Sequence, residues 1–271
     1  VQRRGLISLE RARVAGRDPA ALGSLPGDPE DLKLTVHVGR RERVGARPAF
    51  VAACALLHEH AIAGATVLLG VDGLRDGRRA RARLLSRNAD VPIAIVAVGD
   101  GARIHDVVPE LTRMLRRPLV LLERVRICKR DGELVQAPPA LPAGDARGRA
   151  LWQKLTVYSS HAATTVGGHP LHLEIVRRLR AGGAAGATCV NGVWSYHGAH
   201  APHGERLLQL RRHAPVVTST LDSPARAASS FATIDALTSE HGLVTSETVP
   251  ALQALHEDHP IGSLSLADPS S

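Results

Sequence analysis

Aromatic side chains are nearly missing from this sequence: two Trp, two Tyr and two Phe occur in 271 residues. Surfaces that stack successive nucleic-acid bases on rings are therefore not expected, and the core must be built from Ala, Val, Leu and Ile. Cysteine is also sparse. Cys54, Cys128 and Cys189 are far apart and odd in number, so no disulfide framework is implied and a reducing cytoplasm is the expected compartment. No apolar run approaches the roughly 18 residues that span a bilayer, and no signal peptide is recognisable, so a soluble protein is expected. A nucleophile elbow, a Walker A motif and HExxH are all lacking, and no Ser/His/Asp set can be assembled. The expectation is a protein that is not an enzyme.

What the chain does have is arginine, duplication and histidine. The formal net charge is +8, which favours anionic partners in general. DLKLTVHVG at 31–39 returns as LWQKLTVYSS at 151–160, and AIAGATVLLGVDG at 61–73 returns as GAAGATCVNGVWS at 183–195. ADVPIAIVAVGD at 89–100 matches RHAPVVTSTLD at 212–222, and RRPLVLLERVRI at 116–127 matches EHGLVTSETVPA at 240–251 more loosely. The chain therefore reads as a tandem duplication. The expected organisation is an N-terminal tail (1–30), unit 1 (31–130), a linker (131–150) containing QAPPALPAGDARGR, unit 2 (151–251) and a C-terminal tail (252–271). The tails show no sustained periodicity beyond a short helical pattern around SLERARVAG.

Within each copy, KLTVHV and KLTVYS alternate like strands, and RPAFVAACALLHEH and HPLHLEIVRRLRA open with proline and continue at helical period. AGATVLLGV and AGATCVNGV, then PIAIVAV and PVVTSTL, read as strands. A second helix and a last strand follow in each copy. This predicts an α+β fold of two tandem ferredoxin-like (βαββαβ) units, each an antiparallel sheet with helices on one face. In VGDGARIHD, residues 98–106, Asp100 is expected to cap the second helix, and the two AGAT runs are expected to be tight helix-to-strand turns.

In the second copy KLTV, GGHP, AGAT, Gly192, Leu207, Leu208, Pro215 and GLVTSETV, and in the first KLTV, AGAT, Gly70, Leu84, Leu85 and Pro92, make the chain resemble the PII-like family known as domain of unknown function 190. The resemblance implies units that associate in threes, bind an adenine nucleotide or similar small anion in clefts between units, and project a loop between the second and third strands. It implies a homo-oligomer, a trimer or a pseudo-hexameric ring, with a signalling or regulatory role. It also implies a membrane channel or transporter as a partner, a fluoride channel being the specific candidate; with the charge mostly in one loop and few aromatics, no nucleic acid is expected. On this reading Gly70, Gly73, Arg75, Arg78, Arg79, Arg81, Gly192, Tyr196, His203 and Arg206 border the ligand clefts.

The two loops have diverged in charge. Residues 72–87 carry Arg75, Arg78, Arg79, Arg81, Arg83 and Arg87 against Asp72 and Asp76, whereas 193–206 carry His197, His200 and His203. Residues 32–150 hold 21 basic and 12 acidic side chains, while 151–271 hold 8 and 9, so the positive excess belongs to the first copy. Guanidinium groups suit bidentate capture of phosphate or carboxylate, and a solvated basic loop is the plainer reading of the same residues. His197, His200 and His203 supply at most three ligands, one short of a structural zinc set, so a solvated or partner-contact loop is expected. Metal binding there, in the manner of copper-tolerance relatives of PII, is the alternative reading, as is a ligand-free accessory of a channel.

Overall fold

The computed structural model describes residues 4–15, 31–75, 78–81, 91–197, 203–204, 214–240, 242–256 and 259–268. In chain order the elements are β1 (Arg4–Leu9), β2 (Arg13–Ala15), β3 (Asp31–Gly39), β4 (Arg43–Val44), β5 (Arg47–Pro48), α1 (Ala49–Glu59), β6 (Gly64–Leu69), β7 (Asp72–Arg75), β8 (Arg78–Arg81), β9 (Pro92–Asp100), α2 (Gly101–Met114), β10 (Leu119–Arg130) and β11 (Glu133–Leu134). Then follow β12 (Trp152–Ser160), α3 (Leu171–Ala181), β13 (Ala187–His197), β14 (His203–Gly204), β15 (Pro215–Asp222), α4 (Pro224–Leu237), β16 (Leu243–Val249), β17 (Ala251–His256) and β18 (His259–Ser263).

The expected pair of separate ferredoxin-like sheets is corrected by the strand pairing. Eight long strands run in the order β3, β9, β6, β13, β15, β12, β16, β10 and return to β3, which makes one closed antiparallel barrel shared by the two copies, with four helices. Copy one contributes four consecutive staves and copy two the other four. They join at two seams, β6 against β13 and β10 against β16, both antiparallel. The physical reason lies in the edges. A four-stranded sheet leaves two rows of unpaired backbone N–H and C=O groups, and closure satisfies both rows within one chain.

Strand alternation sorts the core into three parts. Leu32, Leu34, Val36 and Val38 of β3 pack with α1 and α2 residues such as Leu57, Ile104 and Leu111. Leu155 and Val157 of β12 pack with Ile175 of α3 and Ile234 of α4. Residues of opposite parity from strands all round the ring, including Val98, Val125, Tyr158, Val217 and Leu243, meet one another inside the barrel. The small lumen is thus filled by side chains, as eight-stranded barrels of this size allow.

Local expectations for the second helix hold: the Asp100 side chain accepts from the Arg103 N–H at 3.1 Å and caps α2. The flanking segments differ from the sequence reading. Where a helix was expected around SLERARVAG, the chain instead forms β1 and β2. β1 pairs with β17, and β2 pairs with Val120–Leu122 of β10. β17 pairs in turn with β18, so a three-stranded sheet sits beside the barrel, and the Arg11 guanidinium reaches the Ala267 carbonyl at 3.1 Å. These strands are short and lack periodicity of their own, and their partners are distant in sequence.

Candidate functional site

The second seam holds the most unusual chemistry. Lys33 of β3 lies directly opposite Glu123 of β10, and Lys154 of β12 lies directly opposite Glu247 of β16. These are repeat equivalents: each lysine opens its KLTV run, and each glutamate is the fifth residue of its copy's last strand. Because Leu32 and Leu34 turn toward the helices, the period of two sends Lys33 into the barrel. The seam axis brings both pairs together. Lys33 Nζ is ion-paired with Glu247 Oε2, lies 3.2 Å from Glu123 Oε2 and 3.7 Å from Glu10 Oε2. Lys154 Nζ lies 3.1 Å from Glu10 Oε1 and 3.7 Å from Glu247 Oε2.

Glu10 comes from outside both repeats. It follows β1, which is held on β17, and precedes β2, which is held on β10, so the N-terminal segment crosses the flank of the seam and delivers a fifth charge. The Lys33 and Glu247 side chains are only 7% and 5% exposed, whereas Lys154 and Glu10 are 20% and 27% exposed. The cluster therefore has a buried floor and an outer edge reachable from solvent.

Two ammonium groups face three carboxyls, one negative charge too many. Burial pushes Glu123 up to about 7, against the pull of Lys33, and its hydrogen bond to Glu10 and the nearby Glu247 add to that rise. Burial acts on Glu10 in the same direction, but Lys154 and Lys33, with the Glu123 hydrogen bond, bring it below the ordinary glutamate value. Below about pH 7 the extra proton therefore resides on Glu123 and is donated to Glu10. Burial would discharge Lys33, yet Glu247 and Glu123 more than offset it and hold the ammonium charged well above its ordinary value. Tyr158 shares the inner face of β12 with Lys154; burial and then Glu247 raise its phenol, which stays neutral. Glu247 Oε1 is buried and has no hydrogen-bond partner among the described residues. The three carboxyl groups bring oxygens within 4.8 Å of one another, a spacing a cation could use, but the lysine ammoniums already fill that role.

The cleft residues expected from sequence fall elsewhere. Gly70 and Gly192 lie by the first seam, where Gly192 is opposite Leu68. A Cβ on Gly70 would collide with the Pro92 carbonyl, and one on Gly192 would lie 2.7 Å from Pro215 Cγ and 2.8 Å from the Val67 carbonyl oxygen. A Cβ on Gly73 would strike the Pro92 ring. Close approach thus accounts for all three. Tyr196 is fully buried, edge-on to His58 with ring centroids 5.1 Å apart, and its hydroxyl has no partner among the described residues. Arg75 ends β7, and Arg78, Arg79 and Arg81 lie on β8. His197 ends β13 opposite Gly64, and His203 lies on β14 opposite Ser195. His200 and Arg206 fall outside the described residues. Since β6 and β13 run antiparallel, the arginine loop and the histidine loop leave from opposite ends of the barrel.

Sequence reading passed over Lys33, Lys154, Glu123, Glu247 and Glu10. A signal was present: a lysine and a glutamate recur at equivalent positions of otherwise apolar strands in both copies. Nothing in a single strand, however, says that the two copies face one another.

A duplicated α/β chain closed into one barrel around a shared charged seam is the class of protein that fold and site define. Sequence comparison is more specific: the model of family DUF190, described as Uncharacterized ACR, COG1993, matches residues 31–127 and again 152–251. This chain belongs to that family and carries its domain twice. Among solved structures, one described as "Crystal structure study of anthrone oxidase-like protein" is 10% identical over 94% of this chain and 100% of that chain. Its TM-score of 0.20 carries no argument about fold or function.

Proposed function

We propose that this protein is a non-catalytic regulatory protein of the PII-like kind that receives a small anion, an adenine nucleotide being the first candidate, at the seam between its copies. The observation that carries the reading is the Glu10 carboxylate resting on Lys154 Nζ at 3.1 and 3.3 Å. A carboxylate that arrives from outside both repeats marks where a free carboxylate or phosphate would meet the same ammonium groups. Glu10 and Lys154 form the outer edge of the cluster, so exchange there leaves the buried Lys33–Glu247 pair in place. Binding would free the segment from β1 to β2, and the freed segment would be the element read by a partner such as a membrane channel.

The test is thermal denaturation of the full chain and of Lys154→Ala with ATP, ADP, AMP, cyclic AMP and inorganic phosphate. A ligand at about 100 times its Kd adds about 2.7 kcal/mol and raises the midpoint by several degrees. Stabilisation of the unaltered chain that disappears in Lys154→Ala supports the reading. Failure of every anion to stabilise the chain overturns it, and so does stabilisation that Lys154→Ala leaves intact.

A further inference from the structure

The copy-one end of the barrel collects arginine in a way that the seam does not use. Four strand ends converge there: Gly39 of β3 is opposite Pro92 of β9, Leu119 of β10 is opposite His37, and Leu69 of β6 is opposite Ile93. Three connections crown these ends. The Arg40 N–H donates to the Val91 carbonyl at 3.1 Å, and the β4–β5 hairpin follows, turning at Gly45 with φ 57°. The connection from α2 to β10 docks onto it, with the Arg116 N–H donating to Glu42 Oε1 at 2.6 Å. The β7–β8 hairpin rises beside them, Gly73 lying against Pro92.

Arg41, Arg43, Arg47, Arg113 and Arg117 are all exposed on this end. Glu42 and Asp72 are the acidic residues in the same described segments; each is half-buried, and one carboxylate oxygen of each accepts from a backbone N–H, of Arg116 and Gly73. Aliphatic side chains stand among the arginines. Val71 is 77%, Leu119 46% and Leu69 37% exposed.

We infer that this end of the barrel is a docking surface for an anionic phospholipid bilayer. Guanidinium groups pair with phosphate and carboxylate headgroups, and each basic residue near an anionic leaflet adds to the attraction. Leu69, Val71 and Leu119 would enter the headgroup and acyl boundary, which removes apolar area from water. The mixture decides between polyanions. A nucleic-acid backbone would satisfy the arginines but offers the three aliphatic side chains nothing, and among the described residues no exposed aromatic ring is present there to stack on a base. Among the described residues, the corresponding turn at the opposite end differs: His161, Thr165, Val166 and His169 occupy it, without an arginine. The inference does not depend on ligand binding at the seam.

Co-sedimentation of the full chain with vesicles of phosphatidylcholine containing 30% phosphatidylserine, against phosphatidylcholine alone, tests it. Binding is expected to the anionic vesicles only, and to fall at least tenfold from 0.1 to 0.5 M salt. The triple variant R41E/R43E/R47E should lose at least tenfold in partition while keeping the thermal midpoint. L119S/V71S should lose several-fold with the net charge unchanged. The variant R103E/R124E/R130E, which makes the same charge change at exposed positions toward the opposite end of the barrel, should bind as the unaltered chain does. Equal loss in that variant would reduce the effect to net charge and overturn the inference. So would binding to a random DNA or RNA duplex at the same affinity with no effect of L119S/V71S, since that result describes a nucleic-acid surface. Absence of vesicle binding at 0.1 M salt overturns it outright.

Discussion

At the copy-one end of the barrel the Arg40 N–H donates to the Val91 carbonyl and the Ala49 N–H to the Glu42 carbonyl; at the copy-two end His161 donates to Ala214 and Leu171 to Ala163. Gly45 and Gly168 turn the two matching hairpins with φ of 57° and 77°. The two turns are therefore anchored by equivalent backbone hydrogen bonds, around a hairpin one residue longer in copy two. The side chains are not equivalent. Arg41, Arg43 and Arg47 on one end face Ala162, Thr164 and His169 on the other. The comparison teaches that the repeat constrains what the backbone and core need, namely alternation, glycine and proline. The rims, which bury little, were free to become different surfaces.

The largest expected effect breaks the equivalence of the two lysines. Lys33→Ala leaves Glu247 and Glu123 buried without their ammonium and should destabilise the chain by about 3 to 5 kcal/mol in urea denaturation. Lys154→Ala, at the more exposed edge, should cost about 1 to 2 kcal/mol. Equal losses would mean that the seam is symmetric in energy as well as in sequence.

Next come two glycines, one at the first seam and one in the copy-two hairpin. Gly192→Ala meets Pro215 and Val67, so it should cost about 1 to 3 kcal/mol. Gly168→Ala, with open space around it, should cost about 1 kcal/mol, from its positive φ alone.

The pH dependence sharpens the comparison of Glu123 with its repeat equivalent Glu247. Glu123 titrates at about 7 when folded and near 4.5 when unfolded, so between those values the folded state holds the extra proton. The stability it contributes is fully present below pH 4.5 and declines as pH rises to 7, by about 3 kcal/mol. Glu123→Gln should flatten that slope and should exceed the unaltered chain in stability at pH 8. An unchanged slope would place the proton elsewhere. The smallest effect is expected at the rims: Arg41→Ala and His169→Ala should each change stability by less than about 0.5 kcal/mol.

Much of the fold was legible along the chain. The duplication, the strand alternation of KLTVHV and KLTVYS, the prolines ahead of α1 and α3 and the Asp100 cap all act within a few residues, which is the range at which sequence pattern speaks. The association of the copies was not legible, because β6 carries no mark saying that its edge will meet β13 rather than another chain. The charged seam was hidden for the same reason. Lys33 and Glu123 are 90 positions apart, and Glu10 reaches them on a segment with no periodicity of its own. The arginine and histidine loops stood out in sequence because charge and titratable groups cluster there locally, but the antiparallel β6–β13 seam sends them to opposite ends.

By itself, then, the sequence determined the repeated unit: its apolar alternation, its turns and the order of its elements, all set by short-range sterics and by the burial of one face of each strand. Tertiary structure alone decided that the two units share one barrel, that Lys33, Lys154, Glu123, Glu247 and Glu10 become a single charge set, and which end of the barrel is basic. Those outcomes depend on which sheet edges meet. Edge pairing is a matter of backbone hydrogen bonds common to every residue, so it leaves no residue-specific trace in the sequence.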